Sequence, residues 1–298
     1  MAELLAEVVV VGLIAGGIYG LFAVGTVLVY RGSRVLNFAQ GEIGMMSLFL
    51  AWYLVTERGL PWIVGAVAAL AVAAAVGWGF ERLVVRRMVA APRVAVSVAT
   101  VGLGLLILAT ELRLNGENPR SLAGPISGRG WEIAGVIVSP TQILALVVTL
   151  AVGVGFATLL RRTDFGLGVL AAAQDANMAR LVGVPLGRVS GFVWAAGAAV
   201  TTLGALLIAP TVQAFAPGAF GRLFLFGLAA AIIGGLTSLP GAFVGGVVVG
   251  LFEAGAGRVF AEATFPGLET LSIFVLMLLS LLFRPEGLLA RSGGRRPA

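Results

Sequence analysis

The chain contains no cysteine and no histidine, and all 20 of its basic residues are arginine, so lysine is absent as well. Without cysteine there is no thiol nucleophile, no disulfide and no thiolate metal site. Without histidine the usual proton shuttle and the commonest metal ligand are gone. Without lysine no Walker A loop can be written, so the chain cannot by itself be a P-loop ATPase, and any energy from ATP has to come through a partner. Charge is scarce too, at 11% of residues. No paired-carboxylate motif stands out, which ranks a membrane enzyme last among the function classes and leaves no cofactor or metal to expect.

What is present is apolar. At 59% hydrophobic residues and a mean hydropathy of +1.04 over 298 residues, there is too little polar surface to cover a soluble domain, and the composition is that of a polytopic membrane protein. The 43 glycines agree, because small residues let helices approach where lipid gives no hydrophobic drive between them. A net charge of +6 could serve nucleic acid, but basic loops on one membrane face give the same total, and no nucleic-acid partner is expected.

Taken in order, a first apolar run covers residues 4–30, with Gly12, Gly16 and Gly20 on one helical face as a packing surface. Glu3 and Glu7 without a nearby arginine, and no basic leader with a small-residue cleavage site, fit an uncleaved N-terminus on the outer side. Further runs follow at 37–55, 62–80, 94–112, 141–160, 190–209, 223–236, 242–257 and 268–283. This predicts an all-α bundle of about nine transmembrane helices in a single domain, 1–298; a reentrant segment near Pro217 would change the count by one. Fourteen arginines (31, 34, 82, 86, 87, 93, 161, 162, 180, 188, 284, 291, 295, 296) then lie on one side and six on the other. The positive-inside rule makes the first side cytoplasmic, N-out and C-in. The longest outer loop, 113–139, holds apolar residues at alternating positions on both sides of Ala134-Gly135, the pattern of a small hairpin.

The stretch 161–189 is the charged interruption between the two hydrophobic arrays. Within it the punctuation of a short helix is written out. Asp175 is a good N-cap, Arg180 suits the last turn, Gly183 suits a left-handed C-terminal position, and Pro185 stops continuation. Four arginines around it place it in the cytoplasm, where a capped helix between spans is a handle for something soluble.

Polar groups inside the spans are few. Asn37 and Gln40 form an Asn-x-x-Gln version of a capping box for the second span, with Leu36 as the start of a hydrophobic staple. Glu42 then lies a turn inside, within reach of Arg31 or Arg34 as an ion pair, or lining the inner mouth of a pathway. The fourth span carries Ser97 and Thr100, further candidates for that lining. Glu253 and Glu269 sit near outer ends, where they reach water or pair with Arg258.

The runs Asn37-Phe-Ala-Gln-Gly-Glu42, Arg162-Thr-Asp-Phe-Gly166, Ala173-Gln-Asp175, Gly183-Val-Pro185, Gly234-Gly-Leu-Thr-Ser-Leu-Pro-Gly241 and Phe283-Arg-Pro-Glu-Gly-Leu288 occur in this order along nearly the whole chain. Together they resemble the branched-chain amino acid ABC transporter permeases of the LivH type. The match departs at Gln40, where that family often has His. The resemblance implies a type II importer permease of the bacterial inner membrane. It also implies a second, LivM-like permease, two cytoplasmic ATPase subunits and an extracytoplasmic substrate-binding protein as partners, besides membrane lipid. On it, Asp175, Asn177, Arg180, Leu181, Gly183 and Pro185 belong to a coupling helix that docks into an ATPase. The competing class is a stand-alone ion- or proton-coupled transporter or channel for a small neutral solute such as urea or an amide. Such a carrier normally places paired ionisable groups or broken helices at mid-membrane, and the mid-span positions here are nearly all apolar, Gly, Ser or Thr.

Overall fold

The structure is a computed structural model that describes residues 2–126, 128–133, 135–212, 214–260 and 267–289, with side chains from Leu5 onward. The side chain of Glu3, Ala134 of the hairpin turn, and Arg291, Arg295 and Arg296 of the basic tail lie outside what it describes. The first long helix is α1 (Ala2–Ser33), followed by α2 (Gln40–Trp52), whose end widens into a π-turn at Tyr53–Glu57. Next come α3 (Trp62–Leu83), α4 (Arg93–Asn115), a hairpin of β1 (Trp131–Ile133) and β2 (Val136–Val138), and α5 (Pro140–Arg162). Two shorter helices, α6 (Asp164–Gln174) and α7 (Ala176–Leu181), lead into α8 (Leu186–Ile208), α9 (Phe220–Gly234), α10 (Leu239–Val259) and α11 (Leu268–Phe283).

Each predicted apolar run holds a helix, and the chain is an all-α membrane bundle. Six helices are long and apolar enough to cross a bilayer, namely Leu5–Ser33, Trp62–Met88, Arg93–Asn115, Pro140–Arg162, Leu186–Ile208 and Leu239–Val259. The other three, α2, α9 and α11, have 13, 15 and 16 residues. At 1.5 Å per residue that is roughly 20–24 Å, short of the ~30 Å hydrocarbon layer. Among the described residues, then, six helices are long and apolar enough to cross and three apolar ones are shorter, α2 running on through its π-turn. Local chemistry accounts for the shortness. The chain spends residues 34–39 on a turn before α2, and Gly218 (φ +81) and Gly235 (φ +104) bound α9 with backbone that L side chains avoid.

Helix α1 is the centre of the bundle, packing on α10, α8 and α9. Its Gly12, Gly16 and Gly20 stripe meets a second one, Gly246 and Gly250 of α10, so closely that the backbones touch. A Cβ added at Gly16 would lie 2.7 Å from the Val247 Cα and 2.8 Å from the Gly246 carbonyl oxygen. The core around this seam is aromatic and aliphatic, with Trp194, Phe22, Phe220 and Phe226 fully buried. By contrast α4 packs on α2 along Val96, Thr100, Gly104, Ile107 and Glu111, and leaves Val94, Val98, Leu105 and Leu106 exposed. That apolar face is covered by lipid or by another subunit, not by this chain.

Ends that the arginine bias assigns to one face gather on one face. Arg86 after α3 donates to the carbonyl of Gly187 at 2.6 Å, and Arg34 after α1 donates to the carbonyl of Ala173 at the end of α6. On the other face Arg258 pairs with Glu7, and Arg120 bridges antiparallel to Phe215 with its guanidinium over the Trp52 ring at 4.5 Å. The hairpin pairs Trp131 with Val138 and Ile133 with Val136, turning at Gly135 (φ +80).

Candidate functional site

The inner-face segment after α5 is built by three successive caps. Thr163 caps α6, its hydroxyl accepting from the Gly166 N–H at 3.0 Å. Asp175 then leaves the helical region (φ −147, ψ 105), and its Oδ1 accepts from the N–H groups of Asn177 at 2.9 Å and Met178 at 3.1 Å. This satisfies two of the donors that a helix start leaves open. Arg180 lies in the last turn of α7, Gly183 takes φ +86, and the Val184 N–H returns to the Ala179 carbonyl at 3.0 Å. Pro185 then precedes α8. The sequence predicts this one capped helix; the additional helix α6 is the piece it does not announce.

Only Ala179 of α7 is buried. Asn177 and Arg180 are exposed, and so are three large apolar side chains in a row on the helix end, Met178 at 62%, Leu181 at 79% and Val182 at 77%. The base beneath is held firmly by the Arg34 and Arg86 bonds to Ala173 and Gly187 and by the edge-to-face pair of Phe165 with Phe192 at 4.9 Å. A braced helix with an exposed apolar tip leaves a small apolar patch that this chain does not cover.

The polar residues proposed for the pathway divide. Asn37, Gln40 and Thr100 are fully buried, while Glu42 and Ser97 are half-buried. The capping box is not formed. The residue before α2 is Ala39, which caps nothing with its side chain; the Asn37 Oδ1 accepts from the Ala39 N–H at 3.1 Å as a local turn, and Gln40 donates across to the Thr201 hydroxyl on α8. The hydroxyl of Thr100 accepts the Phe38 N–H at 3.0 Å and donates to the Ser97 carbonyl of its own helix at 2.6 Å, so Thr100 meets the chain leading into α2. Tertiary partners on α4 and α8 have outcompeted the local cap. Glu42 likewise does not reach Arg31 or Arg34. Its Oε2 has no partner among the described residues, and its side chain lies against Gly104 of α4.

A group that sequence reasoning missed is Glu111. It is 2% exposed, on the buried stripe of α4 one to two turns beyond Gly104, with neither carboxylate oxygen partnered among the described residues. The signal was the spacing Thr100, Gly104, Ile107, Glu111, which lines one face of a helix. At the outer end, Glu253 accepts from the Tyr19 hydroxyl at 2.5 Å, and Arg258, its expected partner, pairs with Glu7 instead.

A multi-pass helical bundle that carries an exposed, capped helix between α6 and α8 has the form of a membrane transport subunit. The family model described as "Branched-chain amino acid transport system / permease component" matches residues 8–282, and the chain belongs to that family. It is 29% identical over 293 residues to the "High-affinity branched-chain amino acid transport system permease protein BraD" of Pseudomonas aeruginosa, covering 94% of each chain. It is 26% identical over 294 residues to the corresponding LivH protein of Escherichia coli K12, again covering 94% of each. The "Probable branched-chain amino acid transport permease protein LivH" of Methanocaldococcus jannaschii is 25% identical over 292 residues, covering 90% of this chain and 87% of that one. Among solved structures, PsaBC from Streptococcus pneumoniae in complex with Fab is similar at a TM-score of 0.47 and 14% identity, covering 96% and 91% of the chains. The chain is a multi-pass inner-membrane protein of an ABC permease family.

Proposed function

We propose that this chain is the permease subunit of an ATP-driven importer that carries branched-chain amino acids, or closely similar small neutral amino acids, into the cytoplasm. The observation that carries the reading is α7: a capped six-residue helix on a braced base, presenting Met178, Leu181 and Val182 to the cytoplasm. An ATPase that closes on nucleotide moves such a knob, and the movement passes through α6 and α8 into the bundle. Asp175, Gly183 and Pro185 shape the knob, while Asn177, Arg180 and Leu181 touch the partner. The chain lacks the lysine of a phosphate-binding loop, so hydrolysis belongs to two partner ATPases and this subunit is not itself an enzyme.

A second, LivM-like permease completes the pathway against the exposed face of α4, and an extracytoplasmic binding protein delivers substrate on the side of the 113–139 loop. On this reading Glu42 and Ser97, the half-buried members of the polar set, line the inner mouth of the pathway, with Asn37, Gln40 and Thr100 behind them. The names of the relatives support the substrate class, and an apolar side chain suits walls of Ala, Val, Leu and Gly. The test is competition against labelled leucine uptake by the reconstituted complex. Excess valine and isoleucine suppress uptake and urea or acetamide leaves it unchanged; the reverse pattern refutes the substrate assignment.

A further inference from the structure

The inner face holds a cavity of about 860 Å3 between the ends of α1, α5, α6 and α10. Three arginines from two separate segments, Arg31, Arg34 and Arg161, line it. Among the described residues neither Arg31 nor Arg161 is in an ion pair. Arg34 occupies the left-handed region (φ 56), where glycine ordinarily ends a helix, and one of its N–H groups is spent on the Ala173 carbonyl. The same wall receives the start of α10, a 21-residue helix whose positive end is capped by Ser238, the hydroxyl accepting from the Gly241 N–H at 3.1 Å. Three guanidinium groups and a helix N-terminus around one void repel each other unless an anion lies between them.

The remaining wall says which kind of anion. Leu160, Leu170 and Leu239 face the same cavity, which lies at the ends of three helices long and apolar enough to cross a bilayer, Leu5–Ser33, Pro140–Arg162 and Leu239–Val259. A free phosphate would gain nothing from these side chains, whereas a lipid offers a phosphate to the arginines and its glycerol and first methylenes to the leucines. We propose that this cavity is a binding site for an anionic phospholipid of the inner leaflet, its phosphate held by Arg31, Arg34 and Arg161. Because Arg34 also holds the end of α6, directly before Asp175, the bound lipid braces the base on which α7 stands.

The test uses the purified full-length chain, alone and in its assembled complex. Bound lipid is counted by native mass spectrometry, and thermal unfolding is followed with added dioleoylphosphatidylglycerol, dioleoylphosphatidylcholine or inorganic phosphate. The phosphatidylglycerol is retained and raises the unfolding temperature; the phosphatidylcholine and the phosphate do not. In the Arg31→Ala/Arg161→Ala pair the lipid affinity falls about 25-fold, two interfacial charges each being worth about fivefold. The Arg31→Lys/Arg161→Lys pair keeps most of it, and Arg82→Ala, on the same face outside the cavity, keeps all of it. Equal stabilisation by both lipids, or an undiminished response in the alanine pair, overturns the proposal. An equal response to inorganic phosphate makes this a free-anion site, and a loss of ATPase attachment with unchanged lipid binding makes it a protein contact; both refute the lipid. Should the alanine pair fail to fold, the wild-type comparison of the three additives decides alone.

Discussion

The seam between α1 and α10 permits a sharp test, because neighbouring glycines of α1 have opposite surroundings. A Cβ at Gly16 would lie 2.7 Å from the Val247 Cα, and one at Gly12 would lie 2.7 Å from the Leu251 Cα. Carbon atoms in contact prefer about 3.5–4.0 Å, so Gly16→Ala forces the two backbones apart by roughly 1 Å. At Gly17, one residue on, the Cβ would meet the Leu146 Cδ1 and Thr149 Cγ2 at 3.6 Å, an ordinary contact. Alanine gains about 1 kcal/mol of helix propensity over glycine at either position. Overpacking a closed seam costs about 1–3 kcal/mol, so Gly16→Ala is neutral to destabilising by about 2 kcal/mol, while Gly17→Ala is stabilising by up to about 1 kcal/mol. Gly16→Leu goes well beyond what the seam accepts. The double Gly12→Ala/Gly16→Ala costs less than the sum of its parts, since one separation of the helices serves both side chains. Detergent-titration unfolding of the purified chain reads all four. If Gly17→Ala is the more damaging of the two alanine changes, or Gly16→Leu unfolds like the wild type, the packing account is wrong.

Other outcomes follow from the site and the topology. A reporter fused after Leu122 is active outside and one fused after Ala173 inside; the same side for both defeats the arginine-based orientation. Asp175→Ala removes a cap worth about 1 kcal/mol, and Gly183→Val forces a β-branched residue to the φ of +86. Each leaves the subunit inserted and assembled but lowers transport and separates it from substrate-stimulated ATP hydrolysis, and normal transport in either variant rules out coupling through α7. Glu111→Gln keeps the shape of a buried side chain while removing an unpartnered carboxyl. It raises stability, by at most the ~3 kcal/mol cost of a mid-bilayer charge; a loss of more than about 1 kcal/mol means the carboxyl has a partner from another subunit.

What could be read in the sequence was what neighbouring residues decide among themselves. The apolar runs, the Asp175 cap, the Gly183 turn and the hairpin at Gly135 each depend on chemistry within a few residues, and each is found where that chemistry puts it. What could not be read depends on residues far apart in the chain. Asn37 and Gln40 carry a sound capping pattern, but Thr201 on α8 captures Gln40 and Thr100 on α4 captures the Phe38 N–H. Glu111 looked like the end of a span until the packing of α4 on α2 showed which face it is on. Arg31, Arg34 and Arg161 were legible as topology signals, the first two also as possible partners of Glu42, because nothing local says that they share one cavity.

The central claim is that this chain supplies a pathway but no power of its own. The direct measurement is accumulation of labelled leucine in proteoliposomes, comparing this permease with its permease partner alone against the same pair carrying both ATPases, with binding protein present and ATP supplied on the ATPase side. The account predicts accumulation against a gradient only in the complete assembly with hydrolysable ATP, and none when α7 bears Asp175→Ala together with Gly183→Val. Accumulation by the permeases alone, driven by an imposed proton or sodium gradient, would contradict it.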